Sequence, residues 1–106
     1  MIFAIDFDGT IVTENWPDIG PLKTEAEIFI RNIRKQGHQW ILLTMRQGRH
    51  LQEALDFLKE HDLSPDCVND NHPDRIREWG NNPRKVYADI YIDDHNAGGV
   101  KWSSQR

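Results

Sequence analysis

Residues 2–10 read IFAIDFDGT, in which four apolar residues are followed directly by Asp6 and, two positions later, by Asp8. The apolar run predicts a buried strand over 2–7, and an ionised carboxylate at the end of such a strand is costly unless it is paired or binds a metal. Residues i and i+2 of a strand share a face, so Asp6 and Asp8 can point into one pocket, while Gly9 lets the backbone turn closely. Such oxygen ligands suit Mg²⁺, which completes its shell with water and substrate phosphate. The pattern therefore predicts phosphoryl transfer at this strand end.

Strand-like and helix-like segments alternate along the remainder of the chain. Apolar periodicity and turn residues predict further strands at 39–44, 67–69 and 87–92, and amphipathic helices at 22–36 and 47–61. Residues 70–85 carry the weakest signal, so we expect a loop there with a helical turn or two around Ile76 and Trp79. The alternation predicts α/β architecture: a single Rossmann-like three-layer domain over 1–106, with a parallel sheet flanked by helices.

Composition disfavours several functional classes. The chain has 106 residues and a net charge of -4, so it lacks the broad basic surface expected of a protein whose main partner is nucleic acid. Its one cysteine, Cys67, cannot form a disulfide within the chain, and residues 1–10 have no basic leader pattern. No apolar run approaches the roughly 18 residues of a membrane span. We expect a cytoplasmic protein without a membrane partner.

Reactive side chains follow three of the predicted strands. Asp6 and Asp8 end the first strand, Thr44 ends the second, and the pair Asp93 and Asp94 ends the last. In an open parallel sheet, ligands bind in the crevice beyond the carboxyl ends of the strands. Two further carboxylates at the same edge are tolerable only around a bound cation, which strengthens the expectation of a metal site.

These residues resemble a known family. The sequences DFDGT at 6–10, ILLT at 41–44 and IYIDD at 90–94 are similar, in the same order, to motifs one, two and four of the haloacid dehalogenase superfamily of phosphohydrolases. The resemblance covers nearly the whole chain and implies an Mg²⁺-dependent phosphomonoester phosphatase. Larger relatives insert a cap domain, but the segment between the first two motifs has room for little beyond one helix and one strand. The chain therefore resembles the small capless type.

The resemblance also implies roles for the two carboxylates of the first motif. Asp6 would be the nucleophile that forms an aspartyl-phosphate, and it would also bind the metal. Asp8 would act as general acid and then as general base, while its main-chain carbonyl binds the metal. An aspartate at this second position is typical of the phosphatase branches and argues against carbon–halogen hydrolysis.

Other positions of the motifs would bind the phosphoryl group or the metal. Thr44 would donate a hydrogen bond to a phosphoryl oxygen, and Gly9 would offer its main-chain N–H to the same group, with Thr10 beside it. Asp94 aligns with the direct metal ligand, and Asp93 would bind the metal directly or through water.

The family also requires a cation beside the nucleophile, and Lys85 is the first candidate. If 85–93 were fully extended, Lys85 would lie about 26 Å from Asp93 at about 3.3 Å per residue, so the chain must fold back before residue 87. Arg46, Lys59 and Arg84 compete for this role. Arg46 is also expected at the mouth of the pocket, two residues after Thr44, where its guanidinium would bind substrate phosphate.

The substrate and two other functional classes remain open at this stage. A small phosphorylated metabolite is the default substrate, and a bulky phosphorylated substrate is the alternative. A bulky substrate would cover the open site itself. Otherwise the 11–21 loop, the tail or a neighbouring subunit of a homo-oligomer would close the site. A receiver-type signalling domain would place its phospho-acceptor on the third strand, where the sequence offers Asp70. A non-catalytic binding protein of the same fold is the remaining alternative.

Overall fold

A computed structural model of the chain describes residues 1–70, 73–80 and 86–93. Within these ranges it contains four strands and three helices. In chain order they are β1 (Ile2–Asp6), α1 (Thr24–Lys35), β2 (Gln39–Leu43), α2 (Gly48–Glu60), β3 (Cys67–Val68), α3 (Pro73–Trp79) and β4 (Ile90–Ile92). The bounds of the first five elements lie within two residues of those predicted from the sequence.

The four strands form one parallel sheet in the order β3-β2-β1-β4. The central strand is β1, in which Ile5 is the register partner of Leu42 on one side and of Ile92 on the other. This order matches the first four strands of a doubly wound sheet, 3-2-1-4, in which the direction of winding reverses between β1 and β4. The predicted fold class, a single Rossmann-like α/β domain, is confirmed.

Helices α1 and α2 pack on one face of the sheet. Their apolar positions recur at spacings of three and four residues, so each helix turns one buried stripe toward alternate residues of β1 and β2. From the helices this core contains Ala26, Phe29, Ile30, Ile33, Ala54 and Leu58, and from the strands Phe3, Ile5, Trp40, Leu42 and Ile92. Helix α1 ends where Gly37 adopts a φ of 83°, which favours glycine.

The opposite face of the sheet carries the side chains of the intervening strand positions. Ile2, Ala4 and Ile41 form a smaller buried cluster there with Ala88, and Val86 packs against it. A parallel sheet needs cover on both faces, and the chain just before β4 supplies part of that cover.

The last third of the described chain differs from the sequence prediction in two places. The expected loop at 70–85 contains α3, which includes the turn predicted around Ile76 and Trp79. Strand β4 begins at Ile90, later than predicted, because the preceding residues bend back: the hydroxyl of Tyr91 donates to the carbonyl of Val86 and accepts from the N–H of Ala88. The fold-back predicted before residue 87 involves residues 81–85, which lie outside the described residues. No helix in the described ranges is long and apolar enough to cross a membrane.

Candidate active site

Asp6 is the last residue of β1 and lies at the carboxyl edge of the sheet. On β2, the register partner of Asp6 is Leu43, and Thr44 is the next residue. On β4, Ile92 is the register partner of Ile5, and Asp93 is the next residue. Adjacent strands are about 4.8 Å apart, so the backbones of Asp6 and Asp93 are neighbours. Both residues are half-buried. They flank the point between β1 and β4 at which ligands bind in doubly wound sheets.

The chain leaves β1 through a tight turn over 7–12. The N–H groups of Thr10, Ile11 and Val12 all donate to the carbonyl of Phe7, and Gly9 takes a φ of 82°. The N–H of Gly9 donates to the carbonyl of Val12 over 2.9 Å. The expectation that this N–H binds the phosphoryl group is therefore wrong for the arrangement described, because the turn itself uses the donor.

The side chain of Thr10 is the unsatisfied group of this turn. Its hydroxyl oxygen is fully buried and has no hydrogen-bond partner among the described residues. Buried hydroxyl groups are nearly always hydrogen-bonded to protein or to water, so an orphan beside the predicted phosphoryl pocket fits a turn that receives a polar ligand or a water.

Thr44 is held in place by Asn69, a residue that the sequence analysis did not select. The Asn69 side-chain amide accepts from the N–H of Thr44 at 2.9 Å and donates to its carbonyl at 3.0 Å. The Thr44 hydroxyl oxygen accepts the N–H of Arg46 at 3.0 Å, which leaves the hydroxyl proton available to a phosphoryl oxygen. The available sequence signal was a polar residue directly after the apolar run of β3. In the structure Asn69 takes a φ of 50°, a conformation that asparagine tolerates.

Asp8 is paired with Arg46 through two parallel hydrogen bonds. Arg46 Nε donates to one carboxylate oxygen and Nη2 to the other, both at 2.8 Å. The Asp8 side chain is 20% exposed and that of Arg46 only 1%. The pKa of Arg46 is raised, because of the hydrogen bond to Asp8 and despite the opposing effect of burial. The Arg46 guanidinium is therefore charged throughout the physiological pH range.

The remaining donors of Arg46 bind main-chain carbonyls. Nη1 donates to Pro17 and His50, and Nη2 also donates to Asp18. A guanidinium has five N–H groups, and these five hydrogen bonds use all of them. The structure places Arg46 beside Asp8 and Thr44, but not at an exposed pocket mouth. It also corrects the expected role, because this guanidinium is buried and has no donor left for a substrate phosphate.

The segment that connects β1 to α1 folds into a hairpin-like loop over the site. Val12 pairs with Leu22, and the N–H of Thr13 donates to the carbonyl of Pro21. Gly20 packs so closely that an added Cβ would lie 2.0 Å from the Thr13 carbonyl oxygen, which excludes any larger residue there. At the tip, Trp16 is 52% exposed, and its ring lies 4.9 Å from the Arg46 guanidinium carbon.

The cations considered for the site occupy different parts of the molecule. Lys85 and Arg84 lie outside the described residues. Lys59 lies in the last turn of α2, about 16 Å along the helix axis from its start near Arg46, and is not at the site. The structure adds Lys23, whose ammonium donates to the carbonyl of Gly9 over 2.8 Å. The sequence offered one sign: a lysine directly before a helix is unfavourable for the helix dipole.

Only part of the predicted metal site falls in the described ranges. Asp6 and Asp93 are included and Asp94 is not, and the described residues contain no group of three His, Cys, Asp or Glu side chains that could hold a metal. The donors present are oxygens, which suit Mg²⁺. The Asp8 carboxylate is committed to Arg46, which is compatible with binding of a metal by the Asp8 main-chain carbonyl. The donor set thus fits magnesium.

Comparison with known proteins gives one informative result. A solved structure described as a conserved protein from Bacteroides thetaiotaomicron matches with a TM-score of 0.84 and 34% sequence identity, over 98% of this chain and 84% of the other. No family model matches the chain, and no curated protein matches it.

Proposed function

This chain belongs to one family with the conserved Bacteroides thetaiotaomicron protein, and we propose that it is a magnesium-dependent phosphohydrolase of the haloacid dehalogenase superfamily. The observation that carries the proposal is the position of Asp6: it ends the central strand, has Thr44 and Asp93 beside it on the two neighbouring strands, and lies at the point where the sheet reverses its winding. A cytoplasmic location and a phosphorylated small molecule as substrate are parts of this proposal.

In the proposed reaction, an Asp6 oxygen attacks phosphorus and the bond from phosphorus to the leaving oxygen breaks. The leaving oxygen takes a proton from Asp8, and Thr44 hydrogen-bonds the transferred group. Water then attacks the aspartyl-phosphate, Asp8 accepts a proton from that water, and phosphate leaves with Asp6 restored. Asp6, the Asp8 main chain, Asp93 and Asp94 would hold Mg²⁺, which would neutralise charge on the phosphoryl oxygens.

The strand order argues against a receiver-type domain. Sheets of that type have the order 2-1-3-4-5, which places the third strand beside the first. Here β3 is separated from β1 by β2, so Asp70 follows the outermost strand and not a neighbour of Asp6.

The test is turnover of a broad panel of phosphomonoesters with magnesium by the wild-type chain and by Asp6→Asn. We expect Asp6→Asn to reduce kcat at least about 1000-fold, because an amide cannot form the covalent intermediate. Asp66→Asn is the matched control, since Asp66 lies at the opposite edge of the sheet and an amide oxygen can still accept its hydrogen bond from the Trp40 N–H. Absence of turnover across the whole panel would favour the non-catalytic binding protein.

A further inference from the structure

Arg46 connects three parts of the site that the proposed reaction treats separately. Its side chain binds Asp8 and the carbonyls of Pro17 and Asp18 in the 12–22 loop, while its main-chain N–H donates to the Thr44 hydroxyl oxygen. We propose that Arg46 is a positioning residue that fixes the carboxylate of Asp8 and couples its position to closure of the 12–22 loop. The part of this inference that concerns Asp8 as acid and base rests on the proposed function.

The geometry leaves Asp8 little freedom. A fork of two parallel N–H donors fixes both the position and the plane of a carboxylate, which a single donor or a lysine ammonium would not do. Both oxygens of Asp8 act as acceptors in this arrangement. Each oxygen has a second lone pair, so a proton bound there for transfer to a leaving group would keep the orientation that the fork sets.

The burial of Arg46 makes the loop part of the same unit. A guanidinium that is 1% exposed needs partners for its donors, because a buried donor without an acceptor carries a large desolvation penalty. Pro17 and Asp18 supply two of the five acceptors, and the Trp16 ring covers one face of the guanidinium. If the loop moved away, Arg46 would lose these partners and its hold on Asp8 would loosen.

A second ring contact places Arg46 against the hydrophobic core. The Arg46 guanidinium carbon lies 5.4 Å from the centre of the Phe7 ring, and Phe7 is fully buried in the core directly between Asp6 and Asp8. The Nη1 donor also reaches the carbonyl of His50 in the first turn of α2. Arg46 is therefore held at once by the turn after β1, by α2 and by the loop.

The kinetic test compares Arg46→Met and Arg46→Lys with wild type on two substrates. p-Nitrophenyl phosphate has a leaving group that needs little protonation, and a simple alkyl phosphate has one that needs it fully. We expect Arg46→Met to reduce kcat about 100-fold on the alkyl phosphate and about 5-fold on the aryl phosphate, because a displaced Asp8 fails as general acid. Arg46→Lys keeps the charge without the fork, and we expect the same ordering with smaller losses.

Two controls separate positioning from other roles. Arg49→Met removes an exposed arginine from the first turn of α2 and is expected to leave both rates unchanged. Adding Arg46→Met to Asp8→Asn should cause no further loss on the alkyl phosphate, because the effect passes through Asp8. An increase in KM with kcat preserved would instead identify Arg46 as a phosphate ligand, and equal losses on both substrates would also overturn the proposal.

A second readout does not depend on turnover. Acrylamide quenching of Trp16, obtained as the difference between each protein and its Trp16→Phe form, should increase at least 2-fold in Arg46→Met and stay unchanged in Arg49→Met. Unchanged quenching in Arg46→Met and in Arg46→Lys would refute the coupling between Arg46 and the loop. If the wild-type chain turned over no phosphomonoester, the proposed function would fail, while this measurement would still decide whether Arg46 holds the loop.

Discussion

The two edges of the sheet each carry an arginine–aspartate pair, and the two pairs differ in almost every physical respect. At the carboxyl edge, Arg46 meets Asp8 in two bonds of 2.8 Å and is buried. At the amino edge, Arg34 lies 3.5 Å from Asp66, and the two side chains are 40% and 23% exposed. The same two residue types thus form a fixed, buried pair in one place and a loose, hydrated pair in the other.

The surroundings of the pairs explain the difference. Asp66 accepts from the N–H of Trp40 and Arg34 donates to the carbonyl of Ser64, so the amino-edge pair fastens the connection before β3 to β2 and α1. An open groove lies beside it, between α1 and residues 62–66. In the carboxyl-edge pair, Arg46 instead connects Asp8 to Thr44 and to the 12–22 loop. A solvated pair suffices to fasten a connection, whereas a buried ion pair carries a desolvation cost and suggests a demand for exact placement.

The largest difference should appear in stability. Removing one partner of a buried pair leaves the other uncompensated, so Arg46→Met should lower the free energy of unfolding by about 3 kcal/mol, toward the lower limit because Asp8 retains some access to water. Arg34→Met should cost at most about 1 kcal/mol, because an exposed pair contributes little. Urea unfolding of the two variants measures both values. Equal losses would show that the two pairs are not different in kind.

The thiol of Cys67 in β3 should be unreactive, in keeping with a structural role for that strand. Burial, with smaller effects from Asp66 and Asp70, raises the pKa of Cys67 from 9.0 to about 11. At pH 8 this lowers the thiolate fraction about 100-fold, so iodoacetamide should modify the native protein about 100-fold more slowly than the urea-unfolded chain. Asp66→Asn should recover a small part of the rate. Rapid native modification would contradict a purely structural role for Cys67.

The smallest expected effect is a difference in kcat/KM between substitutions of two lysines near opposite ends of α1. Lys23 contacts the turn after β1 at the carboxyl edge, whereas Lys35 is exposed in the last turn of the helix. Under the proposed function, Lys23→Met should lower kcat/KM for a phosphomonoester about 10-fold, because a positive charge near the proposed site is lost. Lys35→Met should change it little. If instead Lys85→Met alone impaired turnover, the cation of the site would be Lys85, as the sequence first suggested.

The sequence predicted those features of the site that follow from position along one strand. Asp6, Thr44 and Asp93 were expected together because each directly follows a recognisable apolar run, and parallel strands end at a common edge. The burial of Arg46, the support of Thr44 by Asn69 and the contact between Lys23 and Gly9 were not predicted. Each joins residues at least 14 positions apart in the sequence, and no local pattern records which donor meets which acceptor.

Periodicity and punctuation in the sequence by themselves determined the α/β architecture, the approximate bounds of five of the elements, and the edge of the sheet at which the acidic residues gather. These follow from local preferences, since burial of one helix stripe or one strand face leaves a regular trace in the chain. Only the tertiary structure decided how the polar groups at that edge are paired. The N–H of Gly9 donates within the turn, and all five donors of Arg46 bind Asp8 and main-chain carbonyls. Hydrogen-bond partners are selected by distance and direction in the folded chain, and those become defined only when the elements have packed.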